Sequence, residues 1–261
     1  MIRPPIAAIR AQNEDWDQLT LVVEPDHVHF MANLVKKTLS TLLDKISAPG
    51  RVLAVRPWAG QTMYELDLHL PTIDMTKWMT IPRLKCRVEP HNLTYRDYTP
   101  ATWNPNLGIC TLYIEAGHQG AGSRWVQRLV PGDSVWVSPA HAEKLPATPG
   151  RMLALGDGSA LGHVLALKQL TSRSIYPLDA CVALYEQDQV PSGLQTDHPD
   201  MALLPTAQVE TTLTDWLYGR ALSDYTSVYV AGNMKLVASL RRQLKTKPEL
   251  QARFYVTGFW Q

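Results

Sequence analysis

The chain is short of several things, and each shortage removes a class of explanation. Its 261 residues include three cysteines, Cys86, Cys110 and Cys181, an odd number set far apart. That pattern speaks against a disulfide framework or a zinc motif, so no metal site is expected. Free thiols fit a reducing compartment, and a cytoplasmic location is the expectation. Net charge is nearly absent, with 25 Lys and Arg against 24 Asp and Glu. No global field draws nucleic acid or an anionic membrane surface, so a ligand has to be recognised locally. No run approaches the ~18 apolar residues that a bilayer-spanning helix needs. The N-terminal "MIRPPIAAIRAQNEDWDQ" lacks the apolar core of a signal peptide. Phenylalanine is scarce, with three Phe against eight Trp and ten Tyr. Rings with a polar handle suit planar-ligand sites and partly wet edges, and equally suit amphipathic packing.

What is present is a globular composition, 45% hydrophobic and 19% charged. The length suits one large domain or two ordinary ones. Residues 1–48 read as an N-terminal helical extension. Phe30, Leu34, Leu42 and Ile46 recur at helical spacing and predict a helix over 26–46. From Arg51 the period changes to two. In "TMYELDLHL", Tyr64, Leu66, Leu68 and Leu70 alternate with Glu65, Asp67 and His69, the pattern of a half-buried strand. "RLKCRV", "RDYTPATW", "GICTLYIEAG" and "DSVWVS" are further strands, and "GSRWVQRLV" is a short helix among them. Short strands separated by turn residues predict a small antiparallel barrel or sandwich over 49–146. "AEKLPATPG", residues 142–150, reads as a linker. Beyond it, "RMLALGDGSALGHVLALKQL" and "SVYVAGNMKLVASLRRQLK" each read as an apolar strand, a glycine turn and an amphipathic helix. With "DACVALYE" and the final "ARFYVTGFW", they predict a parallel α/β domain over 147–261.

Three glycine-bearing turns could carry chemistry. "GDGSALG" and "AGNMK" each follow a strand and open a helix, where free amides and the helix dipole favour phosphate. Neither is a Walker A sequence or a full G-x-G-x-x-G, and a tight packing turn is the other reading of both. "GHQGAGSRW" brings glycines and the Ser123 hydroxyl into a helix start, a further phosphate cradle. Upstream, "RDYT" supplies in order the fork of Arg96 for a pyrophosphate, the ring of Tyr98 for a planar heterocycle and the hydroxyl of Thr99 for a ring nitrogen. An exposed strand with ordinary cross-strand pairs is the alternative.

The order R-x-Y-T, G-x-G-S-x-W, P-G-D, L-G-D-x-S-A-L, V-Y-V-A-G and a terminal G-F-W resembles the siderophore-interacting protein family, a branch of the ferredoxin–NADP reductase superfamily. The resemblance covers 51–261. It implies an antiparallel six-stranded FAD-binding β-barrel followed by a parallel-sheet α/β domain that binds NAD(P)H. It places the flavin against Arg96, Tyr98, Thr99, His118 and Ser159, with the pyrophosphate at Gly120, Ala121, Gly122, Ser123 and Trp125. It places the nicotinamide nucleotide at Gly156, Asp157, Gly158, Ser159, Ala160, Gly232, Asn233 and Trp260. Apart from the resemblance, the strand "CVALYEQDQ" ends in carboxylates that would accept ribose hydroxyls, Glu186 first. Glu186 and Asp188, at the end of their strand, favour NADH over NADPH. The sequence departs from the family at Ala121 and Gly122, where proline and alanine are usual. It departs again at Gly158, Ser159 and Asn233, where Glu, Thr and Glu are usual, and Gly117 stands where the family histidine belongs.

The implied activity is a flavoprotein oxidoreductase, a ferric-siderophore reductase that passes hydride from NAD(P)H to flavin and single electrons to iron. The flavin performs the chemistry, so no catalytic side chain is required. Lys235, Arg83 and Lys85 are candidates to meet an anionic ferric siderophore, or else parts of a solvated face. A flavin module fed by a ferredoxin-like partner and a degenerate non-enzymatic scaffold are the alternatives. Neither membrane insertion nor a nucleic-acid partner is expected.

Overall fold

The computed structural model describes residues 47–89, 94–139, 142–146, 149–172 and 177–260. The helix expected over 26–46 lies outside them. Seven strands form an antiparallel sheet: β1 (Ala48–Pro57), β2 (Met63–His69), β3 (Leu84–Glu89), β4 (Thr94–Tyr98), β5 (Pro100–Asn104), β6 (Ile109–Glu115) and β7 (Ser134–Pro139). Their spatial order is β4-β3-β7-β1-β2-β6-β5. The two edge strands, β4 and β5, are separated in sequence by Thr99 alone. The sheet must therefore curl until the end of β4 comes beside the start of β5, and no strand pairing joins these two edges among the described residues. The resemblance implies six strands and the sequence reading identifies five; seven are found, because "RDYTPATW" breaks at Thr99 and lies on both edges, and because β1 is not among the segments read as strands.

Period two explains which side chains fill this barrel. Tyr64, Leu66 and Leu68 of β2 point inward with Cys86 and Val88 of β3 and Cys110, Leu112 and Ile114 of β6. Glu65 and Asp67 face outward, where Arg56 of β1 pairs with both. Helix α1 (Ala121–Arg128) plugs the barrel with Trp125 and Val126.

A second sheet of five parallel strands follows: β8 (Arg151–Asp157), β9 (Leu178–Tyr185), β10 (Met201–Thr206), β11 (Tyr225–Asn233) and β12 (Arg253–Trp260). Its order is β10-β9-β8-β11-β12. Strand β8 is buried on both faces. Met152 and Ala154 join one apolar cluster, and Leu153 and Leu155 join the other. Helix α2 (Leu161–Thr171) covers the first face, and helices α4 (Val209–Leu217) and α5 (Met234–Lys245) cover the second. A short α3 (Ser192–Asp197) lies between β9 and β10.

Helix α2 is not the amphipathic helix expected, because every residue from Leu161 to Leu167 is buried. One side faces the sheet and the other faces the barrel, where Gly162 meets the Thr99 backbone. A Cβ at position 162 would lie 2.7 Å from the Thr99 carbonyl oxygen. Trp58, Met63, Ile81 and Ala101 of the barrel belong to the same apolar cluster as α2 and β8. Residues 142–146 of the expected linker are likewise fastened. Glu143 bridges Ile81 and pairs with Arg83 at 2.8 Å, and the Tyr229 hydroxyl donates to the Lys144 carbonyl at 3.2 Å.

All three cysteines are buried, and burial pushes each thiol up, Cys181 to about 12. Thiolate is the reactive form. The native protein is therefore expected to show no reaction with a disulfide-exchange reagent at pH 8, and three equivalents of reaction in denaturant. One fast equivalent in the native state would contradict this packing.

Candidate functional site

The chain reverses direction across the second sheet between β8 and β11, the place where open parallel sheets bind ligands beyond their strand ends. Two turns meet there. The Asp157 carboxylate ends β8 and is buried; it accepts from the Ser159 amide at 3.1 Å and from the Ser159 hydroxyl. Its other oxygen accepts from the Asn233 amide at 2.7 Å, across on β11. Asn233 in turn caps α5, accepting from the Lys235 amide at 2.9 Å and from Leu236. Gly232, between them, has φ +130°, and a Cβ there would lie 2.5 Å from the Asp157 carboxylate. One carboxylate thus ties both turns into a single knot. Burial raises its pKa, against the lowering effect of these donated hydrogen bonds.

The last strand joins this knot to the barrel. Trp260 pairs with Asn233 in register, and its indole N–H donates to the Ser159 hydroxyl at 3.2 Å. Its ring lies parallel to His118, 5.0 Å between centroids and 8° between planes. Phe259 sits between His163 at 5.9 Å and the Arg83 guanidinium at 5.8 Å. His163 is fully buried, and burial lowers it to about 3, so it is a neutral packing residue.

On the barrel, the sequence candidates for one anion site converge. Helix α1 is preceded by Gly120 at its cap position, and no side chain among the described residues caps its first amides. The Ser123 hydroxyl is buried there and has no hydrogen-bond partner among the described residues. A Cβ at Gly120 would lie 3.4 Å from the His118 ring and 3.9 Å from that hydroxyl. A Cβ at Gly122 would collide with the Tyr98 hydroxyl and lie 3.7 Å from Arg96 Cγ. The Tyr98 ring stacks on Trp125, 5.8 Å away and 19° from parallel. Arg96 is exposed, donates to the Tyr95 carbonyl at 2.8 Å, and pairs with no carboxylate among the described residues. An unpaired guanidinium, uncapped helix amides and an unsatisfied hydroxyl on one spot are what a phosphate group satisfies. Burial lowers the pKa of His118, so its imidazole is neutral at pH 7.

Other candidates fall elsewhere. Lys85 pairs with Asp97 at 3.0 Å and Arg83 with Glu143, so this stripe on β3 is neutralised locally. Glu186 is exposed, and Asp188 turns inward to accept from the Thr62 hydroxyl and the Tyr185 amide. Asp188 is therefore not placed to hold a ribose. Gly156 is closed by Ala160 and by the Ala231 carbonyl, and Gly158 by Met63 and Glu115. In "GDGSALG" the glycines serve close packing, and Asp157 carries the polar contacts.

A cleft of about 310 Å³ opens beside the knot, lined by Asp157, Asn233, Lys235 and Trp260, and also by Glu115 and Tyr185. The last two escape sequence reading. Glu115 lies on the outward face of β6 with Thr111 and Tyr113, a face that alternation alone assigns to solvent. Only an acid placed directly before a glycine turn, at the end of a strand, hinted otherwise.

No family model matches the sequence, and no curated protein matches it. Solved structures do match. A siderophore utilization protein from T. fusca superposes with a TM-score of 0.63 at 17% identity, over 82% of this chain and 92% of that one. The ferredoxin reductase in carbazole 1,9a-dioxygenase gives 0.67 at 18% identity, over 82% and 69%. The ferredoxin-NADP+ reductase from Plasmodium falciparum gives 0.63 at 14% identity, over 82% and 97%. These likenesses establish the fold: a curled antiparallel barrel followed by a parallel α/β sheet. The same group of neighbours was implied by the order of short motifs.

Proposed function

We propose that this chain is a flavin-dependent reductase. FAD lies at Arg96, Tyr98 and Thr99 with its pyrophosphate at residues 120–123, and NADH or NADPH enters the cleft beside Asp157. One observation carries the reading: Arg96, Gly122 and the unpartnered Ser123 hydroxyl meet at an uncapped helix start. Bound there, a flavin supplies the exchange between a two-electron hydride and single electrons.

The chain's own residues supply position. Arg96 neutralises phosphate charge as a planar fork, and Ser123 donates to a phosphate oxygen. Gly122 leaves room for Tyr98, whose ring braces the turn through Trp125. Asp157 holds Ser159 and Asn233 together, so a ligand on the second sheet is fixed relative to one on the barrel. The His118–Trp260 stack ties the turn before α1 to the end of the last strand. The finer proposal is that the electron acceptor is Fe(III) in a siderophore, whose hard oxygen donors hold Fe(II) much less tightly. With Arg83 and Lys85 engaged by carboxylates, Lys235 on the cleft is the better placed cation for an anionic chelate.

A second reading has one observation behind it. Gly156 and Gly158 are filled by the protein's own atoms, which removes the backbone cradle expected for nucleotide phosphates. A flavoprotein fed by a ferredoxin-like partner needs no such cradle. Anaerobic mixing of FAD-saturated protein with NADH or NADPH separates the two. Rapid loss of flavin absorbance is expected on the reductase reading. A flavin untouched by either nucleotide, yet bleached by reduced ferredoxin, would establish the second.

A further inference from the structure

The cleft has an unusual charge problem. Asp157 ends β8, Glu210 stands on α4, and Glu115 reaches in from β6; Lys235 on α5 is the cation among the residues lining it. Asp188 lies behind them, in the turn after β9. A dinucleotide brings two phosphate charges of its own, and every ionised carboxylate on this wall opposes it. The other members of the group are already committed. Glu210 accepts from the Ser239 hydroxyl at 2.6 Å and from Gln243. Asp157 ties the two turns, and Asp188 holds Thr62 and the Tyr185 amide. Glu115 differs. Its Oε2 is buried with no hydrogen-bond partner among the described residues, and the Tyr185 side chain lines the cleft with it. The room that lets it in comes from Gly158, where a Cβ would lie 3.2 Å from Glu115 Oε1.

We propose that Glu115 decides the charge of ligand this cleft accepts: carrying a proton, it admits a phosphate-bearing nucleotide, and ionised, it repels one. The proposal rests on the reading of the cleft as a nicotinamide-nucleotide site and adds a proton to it. Burial, with Asp157 and Asp188 nearby, pushes the Glu115 carboxyl from the ordinary 4.5 up to about 8. Tyr185 and His118, which face it, do not share that window. Tyr185 is pushed up to about 12 by burial, and burial keeps His118 neutral. Asp157 and Asp188 are the competitors, since burial raises both.

The test is calorimetric binding of a non-reducing analogue of NADH to the FAD-saturated full chain between pH 6.5 and 9.5. The native protein is expected to lose roughly tenfold in affinity across pH 7 to 9, with part of a proton taken up per ligand above pH 8. Glu115→Gln is close to isosteric. It is expected to bind at pH 9 as the native protein does at pH 7, with a flat pH profile and no proton uptake. A flat native profile, or a Glu115→Gln profile as steep as the native one, overturns the proposal while leaving the nucleotide site standing. No binding at pH 6.5 by either protein, with FAD retained, overturns both.

A ligand-free measurement checks the same proton. Below pH 4.5 the carboxyl is protonated in folded and unfolded chains alike. Between there and about 8 only the unfolded chain is ionised, so stability falls as pH rises through that window. The melting temperature of Glu115→Gln should therefore match the native protein near pH 4.5 and exceed it by roughly 8–16 °C at pH 8. Equal melting temperatures at both pH values would show that Glu115 is already ionised in the folded state, and the proposal would fall.

Discussion

Arg96→Ala is expected to weaken FAD binding by roughly 10–100-fold, the cost of one or two charge-assisted hydrogen bonds to a phosphate. The flavin-free protein should melt within about 1 °C of the native one, since an exposed residue without a packing role contributes little to stability. The two halves of this expectation come from different facts. The affinity loss follows from a guanidinium that no carboxylate among the described residues neutralises, standing beside Gly122 and the start of α1. The unchanged stability follows from the side chain's one hydrogen bond among the described residues, to the adjacent Tyr95 carbonyl. Arg96→Lys should fall between, because a point charge replaces a fork. Ser123→Ala should cost less, roughly 3–10-fold, since the helix amides remain and one neutral donor is worth about 1 kcal/mol. Isothermal titration of FAD into the three variants provides the comparison. Equal affinities for Arg96→Ala and the native protein would move the pyrophosphate away from this arginine.

Gly232→Ala is expected to destabilise the chain by about 3 kcal/mol or more, lowering the melting temperature by roughly 6–12 °C. Two costs combine at this position. A side chain at φ +130° is strained whatever surrounds it. The new methyl group would also press on a carboxylate that cannot retreat, because Asp157 is held by Ser159 on one side and Asn233 on the other. Giving way would separate the two turns, so nucleotide binding should be lost with the stability. Gly193→Ala is the control. Nothing lies within 4 Å of a Cβ at position 193, which sits in α3. Alanine there should be neutral or slightly stabilising. Scanning calorimetry of both variants decides the matter. A Gly232→Ala protein as stable as Gly193→Ala would mean that the knot is not rigid.

The periodicities that could be read from the sequence were those with a single owner. Strand β2 alternates because one of its faces meets the barrel core and the other meets water. Helix α1 was legible from its serine, its glycines and its tryptophan. The barrel closure was not, because a break at Thr99 changes which edge a residue borders without altering local propensity. Helix α2 was placed but its character misread, since an all-round apolar segment says nothing about what covers each side. Strand β10 carries a proline, Pro205, one residue from its end, and α4 is rich in threonine, a residue that competes with helix for its own backbone bonds. Neither stood out.

The candidate site divides in the same way. Arg96, Tyr98, Gly122 and Ser123 come together as the motif order implied, each within a short segment whose geometry is local. Asp157, Asn233 and Trp260 also meet, but through one carboxylate and one indole that bridge separate strands. Glu115 and Tyr185 entered only through the packing of the barrel's outer face on the second sheet. Asp188 left the site because Thr62, far away in sequence, offers it a partner. Contacts between distant segments leave no periodic trace, and these residues were decided by such contacts.

The most direct test of the central claim is a titration of purified, flavin-stripped protein with FAD, followed by visible absorption and melting temperature. The account expects one equivalent bound, a flavin spectrum altered by transfer from water to the barrel surface, and a melting temperature that rises with FAD concentration. An unchanged spectrum with no thermal shift at saturating FAD would contradict it.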